Sequence, residues 1–124
     1  MTKLFLLIAS LSGFSAVFIG AFGAHMLKAR LNEYSMSVYQ TGFEYHFYHS
    51  LALLAVALLS FWYPQSTALR ISGCGFVIGI VLFSGSLYLL SLTGISWLGA
   101  ITPVGGVCFL VGWLALAIAA WRLN

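Results

Sequence analysis

Residues 41–50 read TGFEYHFYHS, and after Glu44 the chain has no Lys, Arg, Asp or Glu residue until Arg70. The stretch holds one of the two acidic residues of the chain and two of its three histidines. The 25 uncharged residues from position 45 to position 69 are enough for one membrane-crossing helix, because about 20 residues span the hydrocarbon core of a bilayer. This stretch therefore predicts the start of a membrane span and places polar chemistry beside it.

The whole chain has the composition of an integral membrane protein. Of its 124 residues 62% are hydrophobic and only 6% are charged, which leaves too little polar surface to coat a soluble domain. Uncharged residues 4–27 fit one further span, and uncharged residues 71–121 fit two spans joined by a turn at residues 93–97, TGISW. The sequence therefore predicts an all-α polytopic membrane protein. Its single domain, residues 1–124, is a four-transmembrane-helix bundle with spans near residues 4–24, 45–62, 71–92 and 98–121.

Small residues recur at helical spacing in three of these spans. They are Ala16, Gly20 and Ala24 in the first span, Gly75 and Gly79 in the third, and Cys108 and Gly112 in the fourth. Stripes of small residues let membrane helices approach closely, since packing replaces the hydrophobic effect within lipid. We expect them to support a compact bundle or an oligomer interface, with self-association or partner binding through the Gly20 and Gly79 faces. The alternative is that the glycines line a conduit.

Two further segments have weaker patterns. Residues 31–42 combine polar side chains with apolar ones at helical spacing, which fits either a short interfacial helix or a solvated loop. Cys74 and Cys108 are expected to differ in depth by roughly 10 Å or more, too far for a disulfide. Both cysteines are therefore interpreted as packing residues.

Ionisable and hydroxyl side chains are predicted to concentrate in one half of the membrane. His25 ends the first span, while Glu44, His46 and His49 begin the second. Ser84, Ser86, Tyr88 and Thr102 of the last two spans fall in the same half, and Ser12, Ser60 and Ser72 in the other. Ionisable residues inside a membrane usually mark a functional site. We therefore predict a polar or ion-binding cluster of His25, Glu44, His46 and His49 in a water-accessible pocket open to the outside.

Several chemistries fit this cluster. On a helix His46 and His49 are about 60° apart while Glu44 points away from His46, so a metal site would need His25 or an irregular start of the helix. Zinc is then possible, and haem fits less well in so small a chain. Imidazole titrates at about pH 6.5, so a pH-responsive or cation-binding site is also possible. The structural alternative is that the histidines bond to neighbouring helices while Glu44 pairs with Lys28 or Arg30.

Positive charges suggest an orientation. Three basic residues, Lys3, Arg70 and Arg122, fall on the face of the two termini, against Lys28 and Arg30 on the other. The positive-inside rule then favours cytoplasmic termini. The apolar stretch of the first span is longer than a signal-peptide core, so we expect it to be retained. A net charge of +3 is too small to indicate nucleic-acid binding, and no basic cluster in the sequence indicates capture of anionic lipid.

Four segments together resemble a known family. They are residues 20–25, GAFGAH; 45–54, YHFYHSLALL; 85–88, GSLY; and 102–106, TPVGG. In this order they resemble the YgdD-like family of small inner-membrane proteins of unknown function. The resemblance implies a four-helix membrane protein of the bacterial inner (plasma) membrane. It implies no catalytic or binding residues.

Three classes of function remain open. No nucleophile with a neighbouring base, phosphate-binding loop or nucleotide fingerprint is present, so we expect no enzyme and no cofactor. A structural or accessory bundle, acting through helix–helix contacts as a homo-oligomer or with a larger membrane partner, is the preferred interpretation. A small transporter or conduit for protons, metal ions or a small solute is the alternative. A membrane redox or enzyme subunit is the least favoured.

Overall fold

Four helices long and apolar enough to cross a membrane make up this computed structural model, which describes residues 1–123. They are α1 (Thr2–Leu27), α2 (Glu33–Trp62), α3 (Thr67–Thr93) and α4 (Ser96–Trp121). Segment Ile19–Gly23 of α1 and segment Ile80–Ser84 of α3 are π-helical, and α4 opens with a 3-10 turn at Ser96–Ala100. The all-α, four-span architecture predicted from the sequence is confirmed.

Helix α2 begins twelve positions before the predicted span, at Glu33 instead of residue 45. Asn32 caps it, because its side chain accepts a hydrogen bond of 2.7 Å from the Ser35 backbone N–H. Residues 31–42, predicted to be an interfacial helix or a loop, are therefore mostly the first turns of a membrane helix. At about 1.5 Å per residue, the 30 residues of α2 extend about 45 Å, which exceeds the roughly 30 Å hydrocarbon core.

Helix α3 also begins earlier than predicted, at Thr67 instead of residue 71. The Ser66 hydroxyl accepts a hydrogen bond of 3.2 Å from the Leu69 N–H and so caps the helix. The turn that ends α3 lies where the sequence predicts it. Gly94 there has φ 71°, a left-handed conformation that glycine adopts without steric cost.

Cys74 of α3 and Cys108 of α4 border one groove of the bundle. A Cβ added to Gly75 would lie 2.9 Å from the Cys108 carbonyl oxygen. Both cysteines are free.

Helices α1 and α2 form an antiparallel hairpin held by hydrogen bonds at two depths. The Thr2 hydroxyl donates to the Ser60 carbonyl oxygen at 3.2 Å, near the start of α1. Farther along, the Ser12 and Ser50 hydroxyl oxygens are 2.6 Å apart. Two contacts at different levels set the register of the hairpin, because a slide of one turn would break both.

Helices α3 and α4 form a second antiparallel hairpin with the same kind of bonding. The Ser72 hydroxyl donates to the Gly112 carbonyl oxygen at 2.8 Å, and the Ser86 and Thr102 hydroxyl oxygens are 2.7 Å apart. One apolar core joins the two hairpins and receives a buried side chain from every helix. Its members include Phe5 of α1, Leu53 of α2, Phe76 of α3 and Phe109 of α4.

The small residues of the predicted stripes lie at contacts inside one chain. A Cβ on Gly20 would collide with the ring of Phe43, and a Cβ on Gly79 with the ring of Phe109. Ala16 is fully buried and Ala24 is half-buried. The Gly20 and Gly79 positions, expected to take part in self-association or partner binding, thus lie against aromatic rings of the same chain.

Gly75 and Gly112 bring the backbones of α3 and α4 together. A Cβ on Gly75 would lie 3.0 Å from the Gly112 nitrogen, and a Cβ on Gly112 would lie 2.6 Å from the ring of Phe76. This close approach lets the Ser72 hydroxyl reach the carbonyl oxygen of Gly112 across the interface.

Alanine at Gly75 should destabilise the bundle by about 1–3 kcal/mol, because the nearest obstacle is backbone, which cannot rotate aside as a side chain can. Gly85→Ala is the matched control in the same helix, since nothing lies within 4 Å of its added Cβ. Thermal unfolding of the purified protein in detergent, followed by circular dichroism, measures both variants. Equal stability of the two would mean that α3 and α4 are not in close contact at Gly75.

Candidate functional site

The structure does not bring the four predicted site residues together. His25 is exposed at the end of α1 and Glu44 is half-buried on α2, whereas His46 and His49 are buried, at 6% and 5% exposure. The ring nitrogens of the two buried histidines bond to other residues, described below. The predicted four-residue cluster is therefore corrected to two separate histidine sites on α2, each facing different helices.

His49 faces α3 and α4. Its ring stacks on Phe109, with the ring centres 3.6 Å apart and an interplanar angle of 11°, and it lies 5.6 Å from the ring of Phe76. Its Nδ1 lies 2.7 Å from the Tyr45 carbonyl oxygen one turn earlier, and its Nε2 accepts a hydrogen bond of 3.1 Å from the Trp113 indole N–H. Both ring nitrogens are therefore occupied.

These partners determine where the proton of His49 lies. A carbonyl oxygen only accepts, so Nδ1 carries the hydrogen, and an indole N–H only donates, so Nε2 is bare. His49 is thus held as the neutral Nδ1–H tautomer. A second proton on Nε2 would face the Trp113 N–H donor, which disfavours the charged form on geometric grounds.

His46 faces α1 and α3. Its Nδ1 lies 2.8 Å from the Tyr88 hydroxyl oxygen and its Nε2 lies 3.1 Å from the Ser12 hydroxyl oxygen. Ser12 in turn contacts Ser50 at 2.6 Å, and the Ser50 hydroxyl donates to the backbone carbonyl oxygen of His46 at 2.8 Å. Four residues from three helices therefore form one hydrogen-bond network, which we call the His46 network.

The direction of every bond in the His46 network follows from its last member. The Ser50 hydroxyl uses its single hydrogen to donate to the His46 carbonyl oxygen, so in the Ser12–Ser50 hydrogen bond Ser12 must be the donor. Ser12 must then accept from His46 Nε2–H, which leaves Nδ1 bare to accept from the Tyr88 hydroxyl. His46 is therefore the Nε2–H tautomer when neutral, opposite to His49.

The hydrogen bonds run from the His46 imidazole through the hydroxyls of Ser12 and Ser50 and return to the backbone carbonyl oxygen of His46. Such a closed loop holds α1 against α2 but does not lead a proton from one membrane surface to the other. A relay across a bilayer would need groups that continue toward both surfaces.

The histidines lie at a different level of the bundle than predicted, because α2 begins earlier than predicted. Because α2 starts at Glu33, His46 lies close to the middle of the helix that ends at Trp62. Ser12, predicted to lie in the opposite half of the membrane, bonds directly to His46. Ser12, His46 and Ser50 therefore meet near the middle of α2, not in opposite halves of the membrane.

The grooves on the described surface avoid the predicted cluster. Five of them are lined by residues other than His25, Glu44, His46 and His49. Ser12 alone of the His46 network borders one, a cleft of about 280 Å³ between α1 and α3. These five grooves therefore do not form the predicted outward-facing funnel around the histidines.

The described residues do not form a set of ligands for a metal ion. Over residues 1–123 no three His, Cys, Asp or Glu side chains come together in a way that could hold a metal ion. The two buried imidazoles have no ring nitrogen left over, since each nitrogen already has a partner. Zinc and haem binding by the predicted histidines therefore have no geometric basis in this part of the chain.

Sequence analysis missed the partners of the histidines. Trp113 was not singled out, although a tryptophan in the middle of a membrane helix is unusual, because this residue prefers the membrane interfaces. Ser50, the last residue of the stretch TGFEYHFYHS, was not predicted to bond to a neighbouring helix. A search for polar side chains at mid-span would have found both residues, but not which helices they join.

Comparison with known proteins identifies the family. Residues 19–106 match the family model described as "Protein of unknown function (DUF423)". The chain belongs to the DUF423 family. The matched segment contains both buried histidines and Tyr88, whereas Ser12 and Trp113 lie outside it.

Full-length relatives support the same assignment. UPF0382 membrane protein YwdK of Bacillus subtilis is 44% identical across 95% of this chain and 96% of its own length. UPF0382 inner membrane protein YgdD of Escherichia coli K12 is 43% identical across 100% of this chain and 95% of its own. UPF0382 membrane protein SAB0533 of Staphylococcus aureus is 43% identical, with 97% of each chain covered. The resemblance to the YgdD-like family is therefore confirmed, and the DUF423 chain is a membrane protein of a family without a known function.

No solved structure matches this DUF423 chain.

Nitrogen-15 NMR of histidine-labelled protein should find opposite tautomers at the two buried histidines. We expect a protonated Nδ1 at His49, a protonated Nε2 at His46, and averaging between forms at exposed His25, which serves as the internal control. Single His→Gln variants assign the signals. The same tautomer at His46 and His49 would contradict the derived bond directions.

Proposed function

We propose that this DUF423 protein is a non-enzymatic structural or accessory component of the bacterial inner membrane. One observation carries the proposal: all four ring nitrogens of the buried histidines are used inside the chain. His46 ties α2 to α1 and α3, and His49 ties α2 to α4. His46 and His49 are the ionisable residues most suggestive of a ligand site. Both use all their ring nitrogens in hydrogen bonds within the chain.

The energetics of membrane helices support this role. Hydrogen bonds between membrane helices contribute about 0.6 kcal/mol on average and up to about 1.7 kcal/mol. A polar group left without its partner in a dry interior costs about 1–3 kcal/mol. The histidines therefore act against sliding or loss of any neighbouring helix, because each movement would leave a buried donor or acceptor unpaired.

The arrangement of reactive groups also favours a non-enzymatic role. A nucleophilic serine needs a base that can take its proton, but Ser12 accepts from His46 and donates to Ser50, so the imidazole does not activate it. The Tyr88 hydroxyl donates a hydrogen bond to the other ring nitrogen of His46, Nδ1. No cofactor is required by this arrangement.

We further propose that the protein works by contact with a second copy or a larger membrane protein. Because Gly20 and Gly79 are filled from within the chain, such a partner would meet the outer surfaces of the bundle. The outward face of α1 offers one such surface, where Phe14, Phe18 and Phe22 are exposed at four-residue spacing.

His46→Phe tests the structural role against the conduit alternative. Phenylalanine keeps a ring but leaves Tyr88 and Ser12 without their partner, so the free energy of unfolding in detergent should fall by about 1–3 kcal/mol. Tyr48→Phe is the matched control, because it removes one polar group from an exposed aromatic ring of the same helix. If the histidine has the structural role, denaturation in detergent should show a lower free energy of unfolding for His46→Phe and little change for Tyr48→Phe.

Proton and potassium flux into proteoliposomes completes this test. Vesicles with the wild type and with His46→Phe should both show the flux of protein-free vesicles. A wild-type flux that His46→Phe abolishes would replace the structural role with a conduit.

We propose cytoplasmic termini for the DUF423 chain, supported by the three basic residues at that end, Lys3, Arg70 and Arg122, against two at the other. Alkaline phosphatase fused after Asn124 should be inactive in cells, because the enzyme folds only in the periplasm. The same reporter inserted after Arg30 should be active and serves as the control. The reverse pattern would invert the proposed orientation.

A further inference from the structure

Two apolar grooves run side by side over the face formed by α3 and α4. Groove A, with a volume of about 430 Å³, is lined by Arg70, Cys74, Ile78 and Val107 among others. Groove B, with a volume of about 290 Å³, is lined by Leu114, Ile118 and Arg122 among others. Thr67, Ile71 and Val111 line both grooves and form the ridge between them.

A polar pocket of about 480 Å³ adjoins groove B at the end of the bundle. It is lined by the α2–α3 connection, including Tyr63, Gln65 and Ser66, and it shares Thr67 and Arg122 with groove B. The three concave surfaces are therefore continuous. Two apolar channels lead toward one polar recess, which is the outline of a lipid with two acyl chains and one headgroup.

The charges at this end complement an anion. Arg70 lines groove A and Arg122 lines both groove B and the polar pocket. Helix α3 begins at Thr67 at this end of the bundle, where α2 and α4 end at Trp62 and Trp121, so the charge of the site comes from the arginines. The two acidic side chains of the chain, Glu33 and Glu44, belong to the first half of α2, whose last residue is Trp62 beside the pocket.

From these observations we propose that the α3–α4 face binds one anionic diacyl phospholipid. The acyl chains lie in grooves A and B, the phosphate lies between Arg70 and Arg122, and the polar part of the headgroup occupies the pocket beside Tyr63. The histidine network takes no part in the site. Lipid binding and the proposed structural role can therefore be tested separately.

Selectivity arises at the headgroup because the acyl chains have an equally apolar alternative in the surrounding bilayer. A guanidinium binds phosphate through two parallel hydrogen bonds, and a pair of arginines attracts a headgroup with net negative charge. A zwitterionic headgroup carries an ammonium that the same arginines repel. The site thus discriminates between phosphatidylglycerol and phosphatidylethanolamine of equal chain length.

Native mass spectrometry of the full-length protein, released from detergent micelles, tests this proposal. With equal amounts of phosphatidylglycerol and phosphatidylethanolamine, the wild type should retain one phosphatidylglycerol in preference. Arg70→Gln and Arg122→Gln should each lower that bound fraction about five-fold, since a basic residue near a membrane surface contributes an attraction of this size. Lysophosphatidylglycerol, which has one acyl chain, should bind more weakly because it fills only one groove.

Arg30→Gln is the matched control, because it removes the same charge at the opposite end of the bundle and should leave the bound fraction unchanged. Circular dichroism of each variant verifies that it is folded. Equal retention of the two phospholipids would overturn the proposal, and so would an equal loss in Arg30→Gln. A dimer whose formation shields Cys74 in groove A from a thiol reagent, with no lipid retained, would assign the surface to a second copy instead.

Discussion

Buried polar groups in this bundle depend on partners within the chain, because the lipid around it offers no hydrogen bonds. Over residues 1–123 the Ser84 hydroxyl is the one buried side-chain group without a partner. Helix α2 meets this constraint through its two buried histidines, which bond in opposite tautomeric forms to residues of the three other helices. The position of each neighbour is thereby linked to α2. Serine and threonine bonds within the two hairpins then set their registers.

Close approach of backbones makes these bonds possible. Gly75 and Gly112 remove the side chains that would separate α3 from α4, and this lets Ser72 reach a carbonyl oxygen on the facing helix. The small residues thus serve contacts within one chain, and the outer surface is left to the lipid bilayer. The arginines at one end of that surface give it a chemical preference that the apolar side chains alone would not provide.

Function in this DUF423 protein is therefore best sought at its surface. The two buried histidines, which in a membrane protein usually suggest transport, are bonded at every ring nitrogen. His46 also lies on a loop of hydrogen bonds that closes on itself. Over residues 1–123 the surfaces available to other molecules include the outward face of α1 and the grooves over α3 and α4. An accessory protein that binds lipid and a membrane partner is consistent with this division between interior and surface.

Runs of uncharged residues were enough to predict four helices, and Gly94 with its neighbours predicted the turn between the last two. The helix starts were predicted too late, because Asn32 and Ser66 cap their helices through local hydrogen bonds that a count of charges does not detect. This error displaced Glu44, His46 and His49 toward the outer surface in the sequence-based prediction.

The sequence by itself determined that the chain crosses the membrane, how many times, and which polar residues are unusual there, because hydrophobicity and charge act locally along the chain. Only the tertiary structure decided that His46 meets Ser12 and Tyr88, that His49 meets Trp113, and that Arg70 and Arg122 adjoin the same surface. These groups are distant in sequence. Their meeting depends on the register and crossing of packed helices, which is set by many contacts at once and which no single segment encodes.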